Sequence, residues 1–161
     1  MNKKNIIIAI VVSMIIIISI SIYNSKRSVI TNKKIENLTN NWINAVTKRN
    51  NPAEVANLFC SDANLVGTVS QIKRRGADIK KYFDYFAKLP EIKVVKKKYN
   101  IRQISKYVFV NTAFITWTWK GLETPIVARM TFTFRDNCIF QLHSSALPEI
   151  NDDLYKVSGA K

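Results

Sequence analysis

The sequence has few of the residues that stabilise very small scaffolds or bind metals. Among 161 residues there are two cysteines and one histidine. Two cysteines exclude a disulfide-dense scaffold, and one histidine with two distant cysteines offers no chelating spacing. With only four glycines and four prolines, the chain is not collagen-like or of low complexity. We therefore expect a globular domain with no metal and no other cofactor.

Acidic residues are also scarce, with 11 Asp and Glu against 25 Lys and Arg, a formal net charge of +14. This excludes an acidic solvating protein and would suit nucleic acid, an anionic membrane or acidic ligands. Most of the basic residues are lysines, whereas phosphate-binding sites favour the bidentate fork of arginine. The basic clusters at 73–75 and 96–98 lack the interleaved aromatic residues that single-strand binders use. We therefore expect a solvated basic surface and no nucleic-acid binding.

One long apolar run stands near the amino terminus. Residues 6–22 read IIIAIVVSMIIIISISI and follow Lys3 and Lys4. A secretory signal has this order and ends at small residues, such as those around Ser21. A membrane anchor needs about 17 to 25 apolar residues, which the run just reaches. The density of isoleucine favours an uncleaved single-pass anchor over residues 1–22, and secretion after cleavage near Ser21 is the alternative.

The orientation of this anchor rests on two opposed patterns. Four basic residues follow the run closely, namely Lys26, Arg27, Lys33 and Lys34. A literal positive-inside count would therefore keep the downstream domain in the cytoplasm. A short basic tail before an amino-terminal apolar run normally stays inside, and long domains translocate largely regardless of charge. We adopt the exported orientation, with residues 23–32 as a basic juxtamembrane linker.

From residue 33 onward, the spacing of apolar residues predicts three helices. Ile35, Trp42 and Val46 lie on one stripe of a first helix of about 16 residues. Pro52 can open a second, short helix over residues 52–59. Helical spacing returns over residues 76–89, and Pro90 stops that helix.

The remaining segments have the β-branched and aromatic composition of strands. The predicted strands are 63–69, before the third helix, and 91–104, 107–119, 125–134 and 138–145 after it. Helices grouped early and strands grouped late predict an α+β domain. We expect three N-terminal helices packed on one face of a curved antiparallel sheet over residues 33–149, followed by a flexible tail at 150–161.

Two junction motifs in this order of elements resemble a known family. They are ANLVGT at 63–68 with RRG at 74–76, and HSSALPE at 143–149. They resemble the NTF2-like superfamily of cone-shaped domains, and more narrowly its bacterial SnoaL-like branch, which is similar to the calcium/calmodulin-dependent protein kinase II association domain. Gln141 and Leu142 stand where relatives often have two further histidines, so the resemblance implies no chemistry by a histidine cluster.

The resemblance implies a homodimer or larger ring formed through the sheet. It also implies a pocket between sheet and helices, lined by arginine and aromatic residues, for which Arg75 is a candidate. Proteins of this superfamily include isomerases, cyclases, secretion components and pure oligomerisation modules, so the fold alone does not fix an activity.

Proton-transfer chemistry on this scaffold would need a base inside the cone. Between Glu91 and Asp136 the predicted strands contain no acidic residue, and Glu123 lies in a loop between two of them. The remaining candidates are Asp62 or His143 as the base with Tyr82 nearby. Asp62 is better explained as a cap or turn residue at a strand start.

Ligand-binding candidates come from strand alternation. The polar face of the last hairpin carries Arg129 and His143, which could grip a carboxylate or phosphate, or could form the polar outer face or dimer surface of the sheet. This arrangement needs a loop with an odd number of residues, 136–138, and places Phe140 and Leu142 in the core. Trp117 and Trp119 share one face of the preceding strand and could wall a pocket or pack in the core.

Cys60 and Cys138 could pair in an exported domain, but we expect two buried, unpaired thiols. Taken together, the sequence predicts a membrane-tethered domain on the outer side of a bacterial inner membrane. This domain would self-associate, bind a small anionic or aromatic ligand and have no enzymatic activity. The alternatives are an isomerase or hydrolase of the SnoaL or ketosteroid-isomerase type, and an assembly component of the envelope or of a secretion system.

Overall fold

The computed structural model describes residues 12–17, 19, 30–68, 70 and 72–146. Residues 12–17 and 19 are helical. Within the described part of the chain, no helix has both the length and the apolar character needed to cross a membrane. Most of the predicted anchor and linker, and all of the predicted tail, lie outside the described residues.

Three helices form where the apolar spacing predicts them. They are α1 (Asn32–Thr47), α2 (Pro52–Asn57) and α3 (Ala77–Phe86). Thr31 caps α1 by accepting the N–H of Lys34 on its hydroxyl oxygen. Asn51 caps α2, with Pro52 at the first helical position. The second helix is two residues shorter than predicted because Phe59 already belongs to a strand.

Six strands form one sheet in the order β2-β1-β6-β5-β4-β3. The strands are β1 (Phe59–Val66), β2 (Lys73–Arg74), β3 (Lys93–Ser105), β4 (Val108–Thr118), β5 (Ile126–Arg135) and β6 (Cys138–Ala146). The sheet is mixed because β1 runs parallel to β6, so the prediction of a wholly antiparallel sheet is wrong at this pair. Strand β2 was not predicted, since two residues are too few to show an alternating pattern.

The core lies between the inner face of the sheet and helices α1 and α3. At its centre the ring of Trp42 makes edge contacts with Phe83, Trp117 and Phe132, at centroid distances of 5.9, 6.0 and 5.2 Å. Alternate residues of β5, including Phe132, are buried, as the sequence pattern predicts. Close packing of large aromatic rings therefore fills the space between helices and sheet.

The β5–β6 hairpin has the predicted register, but a two-residue turn and a bulge produce it instead of a three-residue loop. Thr131 lies opposite His143, as predicted. The turn is a two-residue one in which Asp136 and Asn137 have φ values of 50° and 80°, a conformation that such tight hairpins favour. A shift of register at Phe140 replaces the odd loop in the prediction.

The same bulge decides which residues of β6 enter the core. Ile139 and Leu142 are each 1% exposed. Phe140 is only half-buried and lies 4.2 Å beneath the guanidinium of Arg135. The prediction that Phe140 joins the apolar face is therefore wrong, because the bulge turns its side chain away from that face.

Cys60 and Cys138 form a disulfide, with their Cα atoms 5.1 Å apart. The expectation of two unpaired thiols is wrong. The parallel pairing of β1 with β6 sets Phe59 opposite Ile139 and so brings the two cysteines together. A sequence separation of 78 residues gave no sign of this contact.

Candidate functional site

The interior of the cone is almost completely filled. Its cavity has a volume of about 10 Å³, which is close to the space needed for one water molecule. The lining residues are Trp42, Leu65, Gly67, Thr68, Tyr82, Phe83, Phe86, Met130, Leu142 and Ser144. Within the described residues, this lining contains no carboxylate, imidazole, guanidinium or amine. The closed cavity therefore provides no general base of the kind that proton abstraction requires.

Tyr82 closes the cavity from the outside. Its ring is stacked on Phe86 at an interplanar angle of 18°. A Cβ atom at Gly67 would clash with the Tyr82 ring, so only glycine permits this contact. Burial raises the pKa of the Tyr82 hydroxyl, and hydrogen bonding to Thr68 opposes that rise. The hydroxyl is therefore neutral at physiological pH.

A wider cleft lies on the other side of Tyr82, which we name the cone mouth. Its volume is about 370 Å³, and its lining residues are Ser70, Arg74, Lys81, Tyr82 and Tyr85. The Arg74 guanidinium lies 5.0 Å from the centroid of the Tyr82 ring. Its Nη1 donates to Ser70 Oγ at 2.9 Å. The cone mouth thus combines a positioned guanidinium with two tyrosine rings.

The two adjacent arginines point to different places. Arg74 lies opposite Leu65, which is 1% exposed, and so faces the inner side of the sheet. Arg75 donates from Nε to Asn64 Oδ1 at 2.6 Å. The sequence motif indicated Arg75 as the arginine of the pocket, whereas Arg74 lines the cone mouth. Successive residues on an extended chain point to opposite faces, so the pair itself signalled that only one of them could line the pocket.

The candidates Arg129, His143 and Asp62 lie on the outer face of the sheet. Arg129 and His143 are exposed on neighbouring strands, and they alternate with buried residues such as Met130. Asp62 forms an ion pair with Arg135 at 2.5 Å, and the hydrogen bond from that guanidinium lowers the pKa of Asp62. Tyr82 lies on the inner side, so these residues do not form one proton-transfer site.

The two tryptophan candidates pack with the core. Trp117 is 2% exposed, and its ring lies 5.3 Å from that of Phe86. Trp119 is half-buried and packs against the core. Among the described residues, neither tryptophan lines the cavity or the cone mouth.

Two buried tryptophan donors lack a hydrogen-bond partner among the described residues, Nε1 of Trp42 and Nε1 of Trp117. Trp42 is one of the residues that line the cavity. For a metal, no group of three histidine, cysteine or acidic side chains comes together in the part of the chain that the structure describes.

Helices on one face of a curved six-stranded sheet, with an apolar interior and a polar mouth, define a cone-shaped α+β domain. No family model and no curated protein sequence matches the chain. A solved structure from Xanthomonas campestris, described as a calcium/calmodulin-dependent protein kinase II association domain, does match. It is 31% identical, over 72% of this chain and 87% of that one, with a TM-score of 0.62.

Two further structures share the fold at low identity. A protein of Streptomyces avermitilis, described as a dehydratase of the NTF2-like family, is 13% identical over 72% of this chain and 95% of that one, with a TM-score of 0.62. A second association domain, from Thiobacillus denitrificans, is 11% identical over 70% of this chain and 94% of that one, with a TM-score of 0.60. The chain belongs to the NTF2-like superfamily, which confirms the resemblance found in its sequence motifs.

Proposed function

We propose that this protein is a non-catalytic NTF2-like domain that binds a small anionic aromatic ligand at the cone mouth. The observation that carries the proposal is the pairing of Arg74 with the Tyr82 ring at the entrance of a filled cone. A guanidinium can bind a carboxylate through two hydrogen bonds, and tyrosine faces pack against a flat ring. The side chain of Tyr85, 67% exposed, supplies the second ring.

A catalytic role has weaker support. The Streptomyces avermitilis structure described as a dehydratase is 13% identical to this chain. This identity shows a shared fold and carries no active-site residue over to this chain. Asp62 and His143, the candidate bases, lie on the opposite side of the sheet from Tyr82. Asp62 is also occupied by its ion pair with Arg135. Within the described residues, an isomerase or hydrolase mechanism would therefore have no positioned base in the cone.

We propose that the domain also self-associates through the outer face of its sheet. This face carries Phe114, whose side chain is 45% exposed at the middle of β4. Phe114 lies opposite Lys98 on one side and Arg129 on the other. An exposed aromatic residue in the centre of a broad sheet face, with charges around it, has the arrangement of an interface core with a polar rim.

We also propose that the domain is exported and held at the outer side of a bacterial inner membrane by residues 6–22. The Cys60–Cys138 disulfide supports this location, because disulfides form and persist in oxidising compartments. The apolar run itself supports the tether by its length and lack of charge.

Titration with benzoate tests ligand binding at the cone mouth. The full chain in a non-ionic detergent is titrated with benzoate by isothermal calorimetry, and we expect a Kd of about 1 mM or lower. Arg74→Gln removes the guanidinium and should raise that Kd about ten-fold or more, since hydrogen bonds to charged groups contribute about 1.5–3 kcal/mol.

Arg75→Gln is the matched control, because it removes the same charge from the neighbouring residue, which bonds to Asn64 instead of facing the cleft. Its Kd should equal that of the unaltered protein. Equal losses in both variants, or no heat of binding up to about 10 mM benzoate, would contradict the proposal.

A further inference from the structure

A second cleft lies between the carboxyl end of α1 and the start of β3. Its volume is about 360 Å³. Its lining residues are Ile43, Asn44, Thr47, Lys48, Lys93, Val94, Val95, Lys96 and Lys97. None of these residues lines the cone mouth, so the two clefts are separate. We name this second cleft the lysine cleft.

The charge of the lysine cleft is of one sign. Four of its lining residues are lysines, and none is acidic. Elsewhere, six carboxylates each lie within 3.6 Å of a lysine or arginine nitrogen, namely those of Glu36, Glu54, Asp62, Asp78, Asp84 and Glu91. Within the described residues, no ion pair involves a lysine of the cleft. Lys97 donates to Asn40 Oδ1, a neutral partner. The cleft therefore brings together four cations that have no carboxylate partner among the described residues.

The local backbone explains how the lysines come together. The register of β3 against β4 shifts between Val94 and Lys96, so Val95 forms a β-bulge. Bulges re-aim side chains and are common next to binding sites. Strand β3 also lies at one edge of the sheet, where one row of its backbone N–H groups does not pair within the sheet.

The floor of the cleft is apolar. Ile43 is 5% exposed, and Val94 is half-buried against the core. Val95, at the bulge, is 55% exposed. The lysine cleft therefore has a cationic rim over a hydrophobic surface, which suits an anion that is attached to an apolar group.

We propose that the lysine cleft binds a phosphate-bearing anion with at least two negative charges. Two unit charges 4 Å apart interact by about 1 kcal/mol in water and by about 4 kcal/mol near a protein surface, so an anion in contact with the cleft lysines would be attracted by an energy of this order. A volume of about 360 Å³ accommodates a diphosphate or a phosphorylated headgroup.

Edge strands often carry lysines that discourage pairing with other strands. That role would explain Lys93 and Lys96 on β3 but not Lys48, which lies just after α1 and completes the opposite wall. The convergence of lysines from two separate elements on one cleft favours a bound anion over a purely protective edge.

Two probes distinguish the sources of this chemistry. The full chain in a non-ionic detergent is titrated by calorimetry with pyrophosphate, which represents a free phosphoanion. In parallel it is titrated with dihexanoyl phosphatidic acid, which represents a lipid headgroup. Dihexanoyl phosphatidylcholine, with no net charge, is the reference for apolar contact alone. Tighter binding of either anionic probe than of the choline lipid supports the proposal and identifies the source.

The site is tested by paired variants that remove equal charge. Lys48→Gln/Lys93→Gln takes one lysine from each wall and should weaken binding of the anionic probe at least about ten-fold. Lys88→Gln/Lys106→Gln removes two exposed cations that line neither cleft, and should leave the Kd unchanged. Equal weakening in both variants would show attraction to net charge alone and would overturn the proposal. Failure of both anionic probes to bind at about 5 mM would overturn it as well.

Discussion

The Tyr82 ring covers the Gly67 backbone at the entrance of the cone. We expect Gly67→Ala to destabilise the protein by about 1–3 kcal/mol, because the added methyl group overpacks the ring. Urea denaturation measures the loss. In a Tyr82→Ala background the same glycine substitution should cost little, since the clash is absent. An equal cost in both backgrounds would show that Tyr82 is not the partner.

Tyr99 offers a pH-dependent test at the same scale. Its hydroxyl donates to Asn40 Oδ1 at 2.9 Å. Burial, and secondarily the charge of Glu36, raises the pKa of Tyr99 to about 12. The unfolded chain ionises nearer pH 10, so this residue's contribution to stability is complete below pH 10 and falls as the pH rises towards 12.

We therefore expect Tyr99→Phe to lose about 1 kcal/mol of stability at pH 7 through the missing hydrogen bond. Between pH 10 and about 11.5, the variant should lose less stability than the unaltered protein, because it has no proton to release at this position. Urea denaturation across this range gives both values. If the free energy of unfolding changes equally with pH in both proteins, the raised pKa of Tyr99 is contradicted.

The sequence alone did not show which of Arg74 and Arg75 lines the pocket. The resemblance implied an arginine at the pocket, and Arg75 of the motif RRG was the candidate. The choice depended on the pairing of Arg74 with Leu65. That pairing belongs to β2, a strand of two residues that no pattern could reveal.

At the scale of elements, the long helices and strands were predictable because each shows several turns or repeats of its apolar pattern. The parallel pairing of β1 with β6 was not, because it depends on how separate segments meet in space. The bulge at Phe140 also escaped prediction. A loop with an odd number of residues and a bulge both shift by one residue which side chains of β6 face the core. The sequence therefore does not distinguish between them.

The disulfide joins these two strands, and its removal tests their pairing. Cys60→Ser/Cys138→Ser should lower the free energy of unfolding by about 2–5 kcal/mol, because the bond closes a long loop in the unfolded chain. Denaturation of the unaltered protein in a reducing agent should approach the same midpoint. If reduction leaves the midpoint unchanged, the bond does not form in the protein.

At the scale of the whole molecule, the two faces of the sheet have different roles in our account. Among the described residues, aromatic packing fills the inner face, and the cone mouth lies beside Tyr82. The outer face displays Phe114, Arg129 and His143 to other molecules. The sequence predicted this division of faces, since alternation along β5 and β6 separates buried from exposed side chains.

Self-association through the outer face is tested at Phe114. We expect Phe114→Asp to convert the dimer to monomers in light scattering, because it removes the apolar ring from the centre of the interface and adds a charge that must lose its water on association. Tyr85→Asp changes a similarly exposed aromatic residue on α3 and should leave the dimer intact. A protein that is monomeric without any substitution would refute this interface.

We propose the cone mouth as a binding site with Arg74 as its anion contact. Native mass spectrometry of the full chain, purified gently from its own host, tests for a ligand bound there. We predict a bound small molecule of defined mass on the unaltered protein and on Arg75→Gln, and its loss from Arg74→Gln. An unaltered protein without cargo, or cargo that persists in Arg74→Gln, would contradict the account.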